Sequence, residues 1–236
     1  MPRAQRGMAL TVDLVARAYR AIENTGPAPH MVRNTETEWN ATVREILVSR
    51  PDGQDAWIFA YGSLLWNPAA EHVEERAGVV RGWHRSFCIR MRDWRGTVDQ
   101  PGLMMGLDRG GQCGGMALRL AEDTVEAQLG KLVRREMPVR PSRKPFTHTP
   151  RWVQVHTVQG LIRALAFVVN RKGVNYMGGL TPDETATILA TACGHGGSCA
   201  EYLYNTISQL EALGIRDRNL WRLQSLVADE LTSLHP

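Results

Sequence analysis

The sequence predicts an α+β fold, on three observations. Short apolar or alternating runs with strand character follow one another from Ala56 to Val169. One helical period, "EDTVEAQLGKLVRRE", interrupts them, and the C-terminal third reads as successive helices. Strands first and helices mostly afterwards argue against a doubly wound parallel sheet.

Taken in order, Val12, Leu14, Val15, Ala18, Tyr19 and Ile22 recur at helical spacing and predict an amphipathic helix of about 12 residues, ended by "NTGPAP". Residues 24–54 are rich in Pro, Asn, Thr and charge, so residues 1–54 read as an N-terminal extension on a loose connection and 55–236 as the body. "WIFAY" is a short buried strand, and "GVVRGWHRSFCIRM" a longer strand or hairpin with Gly82 at a bulge. "CGGMALRL" is a further strand after a glycine-rich turn at 110–115. Val125, Leu129, Leu132 and Val133 then share one helix face, with Asp123 placed to cap it and Glu126 three residues on. "WVQVHTV" and "IRALAFVV" follow as strands, the second apolar on both faces and therefore central. Thr181 with Glu184, and Ser198 with Glu201, form capping boxes for two helices, with Gly194 as the stop of the first. "NLWRLQSLVADELTSL" closes the chain.

Hydrophobic residues at 43% and charged residues at 22% of 236 describe a folded globular chain. The net charge of +4 is concentrated: Arg134, Arg135, Arg140, Arg143, Lys144 and Arg151 face the single acid Glu136. With no interleaved aromatic platform and no recognition-helix or zinc-finger pattern, this argues for a loop facing a small anion rather than nucleic acid. Four cysteines are too few for a disulfide scaffold, and Asp13, Arg17 and Arg20 break the first apolar stretch as a signal or membrane segment, so a reducing cytoplasm is expected.

Glu136 stands out among the candidates for chemistry. It follows Leu129, Leu132 and Val133 at helical spacing, which turns its carboxyl toward the apolar side. Burial raises a carboxyl's pKa and suits a general base working near neutrality; the alternative is a structural ion pair with Arg134, Arg135 or another arginine. In "FAYGSLLWNP", a glycine and a serine directly after an apolar strand either form a backbone nest for an anion or an ordinary bulge. Cys193, His195 and Cys199 lack the spacing of a metal site, and the glycine-rich stretches lack a nucleotide fingerprint. His84, His148 and His156 read as strand or surface residues, and Met104, Met105 and Met116 as core filler.

Together, "FAYGSLLWNP", "GVVRGWHRSF", "DWRGTVDQPG", "LVRRE" and "NYMGGLTPDETATILATACGHGGSCAEYL" resemble, in order, the blocks of the ChaC-like gamma-glutamylcyclotransferases, over about Trp57 to Leu231. The resemblance implies a small, mixed, curved β-barrel flanked by helices, and a cofactor-free, metal-free enzyme. Its expected reaction converts glutathione, a small peptide, to 5-oxoproline and cysteinylglycine. It also implies that Tyr61, Gly62, Ser63 and Leu64 grip the gamma-glutamyl group and that Glu136 is the general base. The chain departs from the family pattern after Glu136, where "MPVRPSRKPFTHTP" stands. Arg140, Arg143 or Lys144 is therefore expected to meet the distal glycyl carboxylate. Two alternatives stay open, action on another gamma-glutamyl amine or peptide and a noncatalytic binding relative.

Overall fold

The structure is a computed structural model and describes residues 7–142 and 145–234. Its helices and strands in chain order are α1 (Val12–Arg17), β1 (Met31–Arg33), α2 (Glu36–Val48), β2 (Trp57–Ala60), β3 (Glu74–Met91), β4 (Gly102–Arg119), α3 (Val125–Glu136), β5 (Val139–Pro141), β6 (His148–Thr157), β7 (Gly160–Val169), α4 (Pro182–Thr191), β8 (Cys193–Gly194), β9 (Gly197–Ser198), α5 (Cys199–Ala212) and α6 (Arg218–Leu234). Two compact units form: Pro27–Ile89 with Met105–Gly178, and the stretch up to Gly26 with Arg90–Met104 and everything from Gly179 onward.

The first of these units carries a closed barrel in the order β2-β4-β3-β6-β7. Strand β2 runs antiparallel to β4, with Phe59 opposite Ala117, and parallel to β7, with Ile58 opposite Leu165. The expected mixed barrel is therefore present. Residues 164–169 of β7 are all buried, as a strand apolar on both faces requires. Where a turn at 110–115 was expected, β4 continues as one 18-residue strand. Gly110 (φ +109°) and Gly111 (φ +65°) take left-handed conformations inside the strand, so the glycines bend the ladder instead of ending it.

A core of Ile58, Ala60, Leu118, Leu120, Leu165 and Phe167 from the strands packs with Leu129, Leu132 and Val133 of α3 and Val43 and Ile46 of α2. Helix α2 arises in the segment read as a loose connection. Thr35 and Glu38 form its capping box, and Trp39, Val43, Ile46 and Leu47 supply a helical stripe. Helix α3 starts differently from the expectation: a 3-10 turn over Glu122–Thr124 absorbs Asp123, and the N-cap is Thr124 with no side-chain cap bond.

In the other unit α4, α5 and α6 pack on one another through buried Leu189, Leu203, Ile207, Leu210, Val227 and Leu231. Thr181–Glu184 forms a capping box, and the Ser198 hydroxyl accepts from the Glu201 N–H. Helix α1 has only six residues, because beyond its cap at Ala18 the backbone N–H of Arg20 turns to the Cys193 sulfur at 3.4 Å. Gly194 is not the helix stop. Helix α4 ends at Thr191, and a Cβ at Gly194 would lie 2.5 Å from the carbonyl oxygens of Asp93 and Trp94, so this glycine permits a close backbone approach. The run "GHGGS" thus serves packing. All four cysteines are buried and unbridged. Among the described residues, no helix is long and apolar enough to cross a membrane.

Candidate active site

Helix α3 aims Glu136 inward because Leu129, Leu132 and Val133, on the same face, are at most 1% exposed and anchor that face in the core. The Glu136 side chain is 14% exposed. Desolvation pushes its carboxyl up to about 7, against the opposing pull of the Arg135 guanidinium. Its place at a helix C-terminus adds no favourable backbone field for an anion. The helix stops at once: Met137 leaves helical geometry (φ −132°, ψ 53°) while its N–H still reaches the Val133 carbonyl at 2.9 Å.

Strand β2 delivers the second component. It ends at Ala60, and residues Ser63–Leu65 make one 3-10 turn. Within the turn the donors are Leu65, to Gly62 O at 2.9 Å, and Trp66 and Asn67, both to Ser63 O. The leading N–H groups, on Gly62, Ser63 and Leu64, take no part in these internal bonds, as at any helical start. Consecutive donors left over at such a turn are of the kind that can meet an anion. The Leu64 side chain, 8% exposed, joins the core, so only its backbone faces the turn's open side.

Arg135 links the two components. Its Nε lies 3.6 Å from Glu136 Oε1, its Nη2 donates to Ser63 Oγ at 3.2 Å, and its Nη1 donates to the Asn67 carbonyl. The expected structural ion pair and the expected turn are thus joined through one guanidinium. Gln128, buried on α3, accepts from the Glu71 N–H at 3.0 Å and holds the chain after the turn along the helix.

Tyr61 is buried, and its hydroxyl donates to the Phe167 carbonyl at 2.7 Å. Its own carbonyl accepts from Arg85 Nε at 2.6 Å. Both ends of the tyrosine are held.

His148 was read as a strand or surface residue. It opens β6, yet both ring nitrogens are shielded from solvent and neither has a hydrogen-bond partner. Its ring packs on Phe167 with centroids 5.2 Å apart. Burial pushes its pKa down to about 4, while the backbones of Glu136 and Phe167 come near enough to oppose this without hydrogen-bond geometry. A neutral imidazole therefore lies beside the backbone of Glu136. Its period-2 place in a strand carried no sign of this.

Arg140 of β5 is engaged elsewhere, its Nε donating to Glu38 Oε1 at 2.8 Å. Arg143 and Lys144 lie outside the described residues. Among the described residues no group of three His, Cys, Asp or Glu side chains is placed to hold a metal ion.

The arrangement unites a buried carboxyl titrating near neutrality, a fixed cation beside it and a set of backbone donors. Such a set can remove a proton from a bound amine and hold a carboxylate or oxyanion. A ChaC-like protein family model matches residues 56–230. The chain is 38% identical over 181 residues to the glutathione-specific gamma-glutamylcyclotransferase of Escherichia coli (strain K12), covering 76% of each chain. It is 31% identical over 166 residues to the mouse glutathione-specific gamma-glutamylcyclotransferase 1, covering 69% of this chain and 73% of that one. A crystal structure of a yeast gamma-glutamyl cyclotransferase specific to glutathione superimposes with a TM-score of 0.69 at 18% identity, over 78% of this chain and 100% of that one, a likeness of fold.

Proposed function

This chain belongs to the ChaC-like protein family, and on that premise we propose how it works as a glutathione-specific gamma-glutamylcyclotransferase with Glu136 as general base. The enzyme converts glutathione to 5-oxoproline and cysteinylglycine. The observation that carries the site assignment is the buried Glu136 carboxyl, joined through Arg135 to the turn at Ser63.

The substrate supplies its own nucleophile. Its α-amine, which titrates near 8 when free, is held five ring atoms from the γ-carbonyl, and ring closure draws on a high effective molarity. Glu136 takes one proton from the α-ammonium. The freed lone pair forms the new N–C bond, and the carbonyl electrons move onto oxygen. As the C–N bond to cysteine breaks, Glu136 returns the proton to the leaving nitrogen, and the second proton shed by the ring nitrogen completes the released ammonium. The N–H groups of Gly62, Ser63 and Leu64 hold the gamma-glutamyl carboxylate or the oxyanion. Tyr61, fixed at both ends, shapes the wall behind them. Four unbridged thiols suit a reducing cytoplasm.

The test is 5-oxoproline release from glutathione and from a panel of gamma-glutamyl amines, with wild type and Glu136→Gln. We expect release from glutathione above the other amines, and a loss of about 100-fold or more in the variant. Near wild-type release by a folded Glu136→Gln protein would refute the assignment of the base, and equal rates across the panel would refute the substrate assignment.

A further inference from the structure

The family model begins at residue 56, yet the residues that hold the end of α3 come from before it. Met137, the residue directly after Glu136, has a carbonyl left without an intrahelical partner by the end of the helix. Two side chains of the N-terminal segment reach it: Asn34 Nδ2 at 2.8 Å and Trp39 Nε1 at 2.8 Å. The Asn34 backbone N–H donates to the next carbonyl, on Pro138, at 3.1 Å. Strand β1 then pairs antiparallel with β5, Arg33 opposite Val139 and Met31 opposite Pro141. Two ion pairs flank the contact, Glu36 with Arg134 at 2.5 Å and Glu38 with Arg140. The Arg134 guanidinium also lies 5.6 Å from the Trp39 ring centre.

Two of these contacts converge on one carbonyl, that of Met137. Asn34 is only 8% exposed, and its amide and the indole N–H are both spent on a carbonyl one residue from Glu136. A helix C-terminus frays unless it is held, and fraying here would swing the Glu136 carboxyl away from Arg135 and admit water. We infer that Asn34 and Trp39 are positioning residues for the reaction, and that residues 31–39 form a clamp that holds the Glu136 carboxyl in place through the Met137 carbonyl. The inference rests on the reading of Glu136 as base. It also gives Arg140 a role, as the clamp's ion-pair partner, in place of the expected contact with the glycyl carboxylate.

Trp39→Phe keeps an aromatic ring but removes the N–H together with the five-membered ring; Asn34→Leu replaces the amide with an apolar side chain of the same branching and heavy-atom count. Each is measured in the full chain for kcat, KM, the pH dependence of kcat, and thermal stability. The charged or titratable groups around Glu136 are Arg135 on its own helix, His148 on β6, and the Arg134–Glu36 and Arg140–Glu38 pairs on the clamp side; neither variant alters any of them. We expect kcat to fall roughly tenfold to a hundredfold with KM changed by less than about threefold, as a misplacement near 1 Å does. We further expect the acid limb of kcat to move to lower pH, because relief of desolvation, the larger influence on the Glu136 carboxyl, outweighs the loss of the Arg135 guanidinium. In a Glu136→Gln background the same substitutions should leave the residual rate unchanged. A lowered melting temperature with kcat and the acid limb as in wild type would overturn the proposal, since that is the signature of a merely structural contact. Should Asn34→Leu not fold, Trp39→Phe alone decides by the same readings. Failure of the base assignment looks different, with Glu136→Gln itself remaining active.

Discussion

Replacing Glu136 with glutamine should make the folded protein more stable while it removes most turnover, and the gain should depend on pH in a defined direction. The ordinary glutamate value of 4.5 is pushed up to about 7 in the folded chain by burial. Below pH 4.5 the carboxyl is protonated both folded and unfolded, and it makes no pH-dependent contribution. Between 4.5 and 7 the unfolded chain loses this proton while the folded chain keeps it, so stability falls as pH rises. At about 1.4 kcal/mol per pH unit the full penalty above pH 7 would be about 3.5 kcal/mol, and with 14% of the side chain exposed we expect about 2–3 kcal/mol. Glutamine has the same shape and no charge to bury. The assay is urea unfolding of both proteins at half-unit steps from pH 4 to 8. The difference in unfolding free energy, variant minus wild type, should rise across pH 4.5–7 and level off above. A constant packing difference between the side chains shifts that curve vertically without tilting it, so a flat curve would refute the claim that Glu136 is buried against its charge.

Two further predictions concern its neighbours. Arg135→Gln removes the cation that opposes the rise at Glu136, so the acid limb of turnover should move to higher pH and the rate at pH 7 should fall several-fold; a limb that stays in place or moves down in pH–rate profiles would contradict the pairing. His148→Phe keeps the ring contact with Phe167 and removes two unpaired nitrogens. The folded histidine titrates at about 4 against an ordinary 6.5, so the unfolded chain binds its proton first and wild-type stability falls as pH drops from 6.5 toward 4. The variant should escape up to about 3.5 kcal/mol of that loss, and parallel stability curves over this window would show that the imidazole is not buried.

Much of this molecule is readable from residue order, because the relevant physics is local. The stripe that ends in Glu136 turns the carboxyl inward through helical periodicity alone, and the "YGSLL" step leaves an apolar strand for a turn because glycine and serine have little to bury. The capping boxes at Thr181 and Thr35 are equally local; the second, with Trp39, Val43 and Ile46 behind it, was the sign of α2 that composition obscured. Gly110 and Gly111 show the limit of local reading, since a left-handed glycine can end a strand or bend it, and pairing with distant strands selects the outcome. Other features depend on contacts across long stretches of chain. Arg135 touches Ser63 across 72 positions, Trp39 reaches Met137 across 98, and His148 loses its water only when β6 and β7 close beside α3. Desolvation and hydrogen bonding act between groups that the fold makes neighbours. The identity of a reactive side chain can therefore be seen in one dimension, but its proton affinity and its aim arise in three.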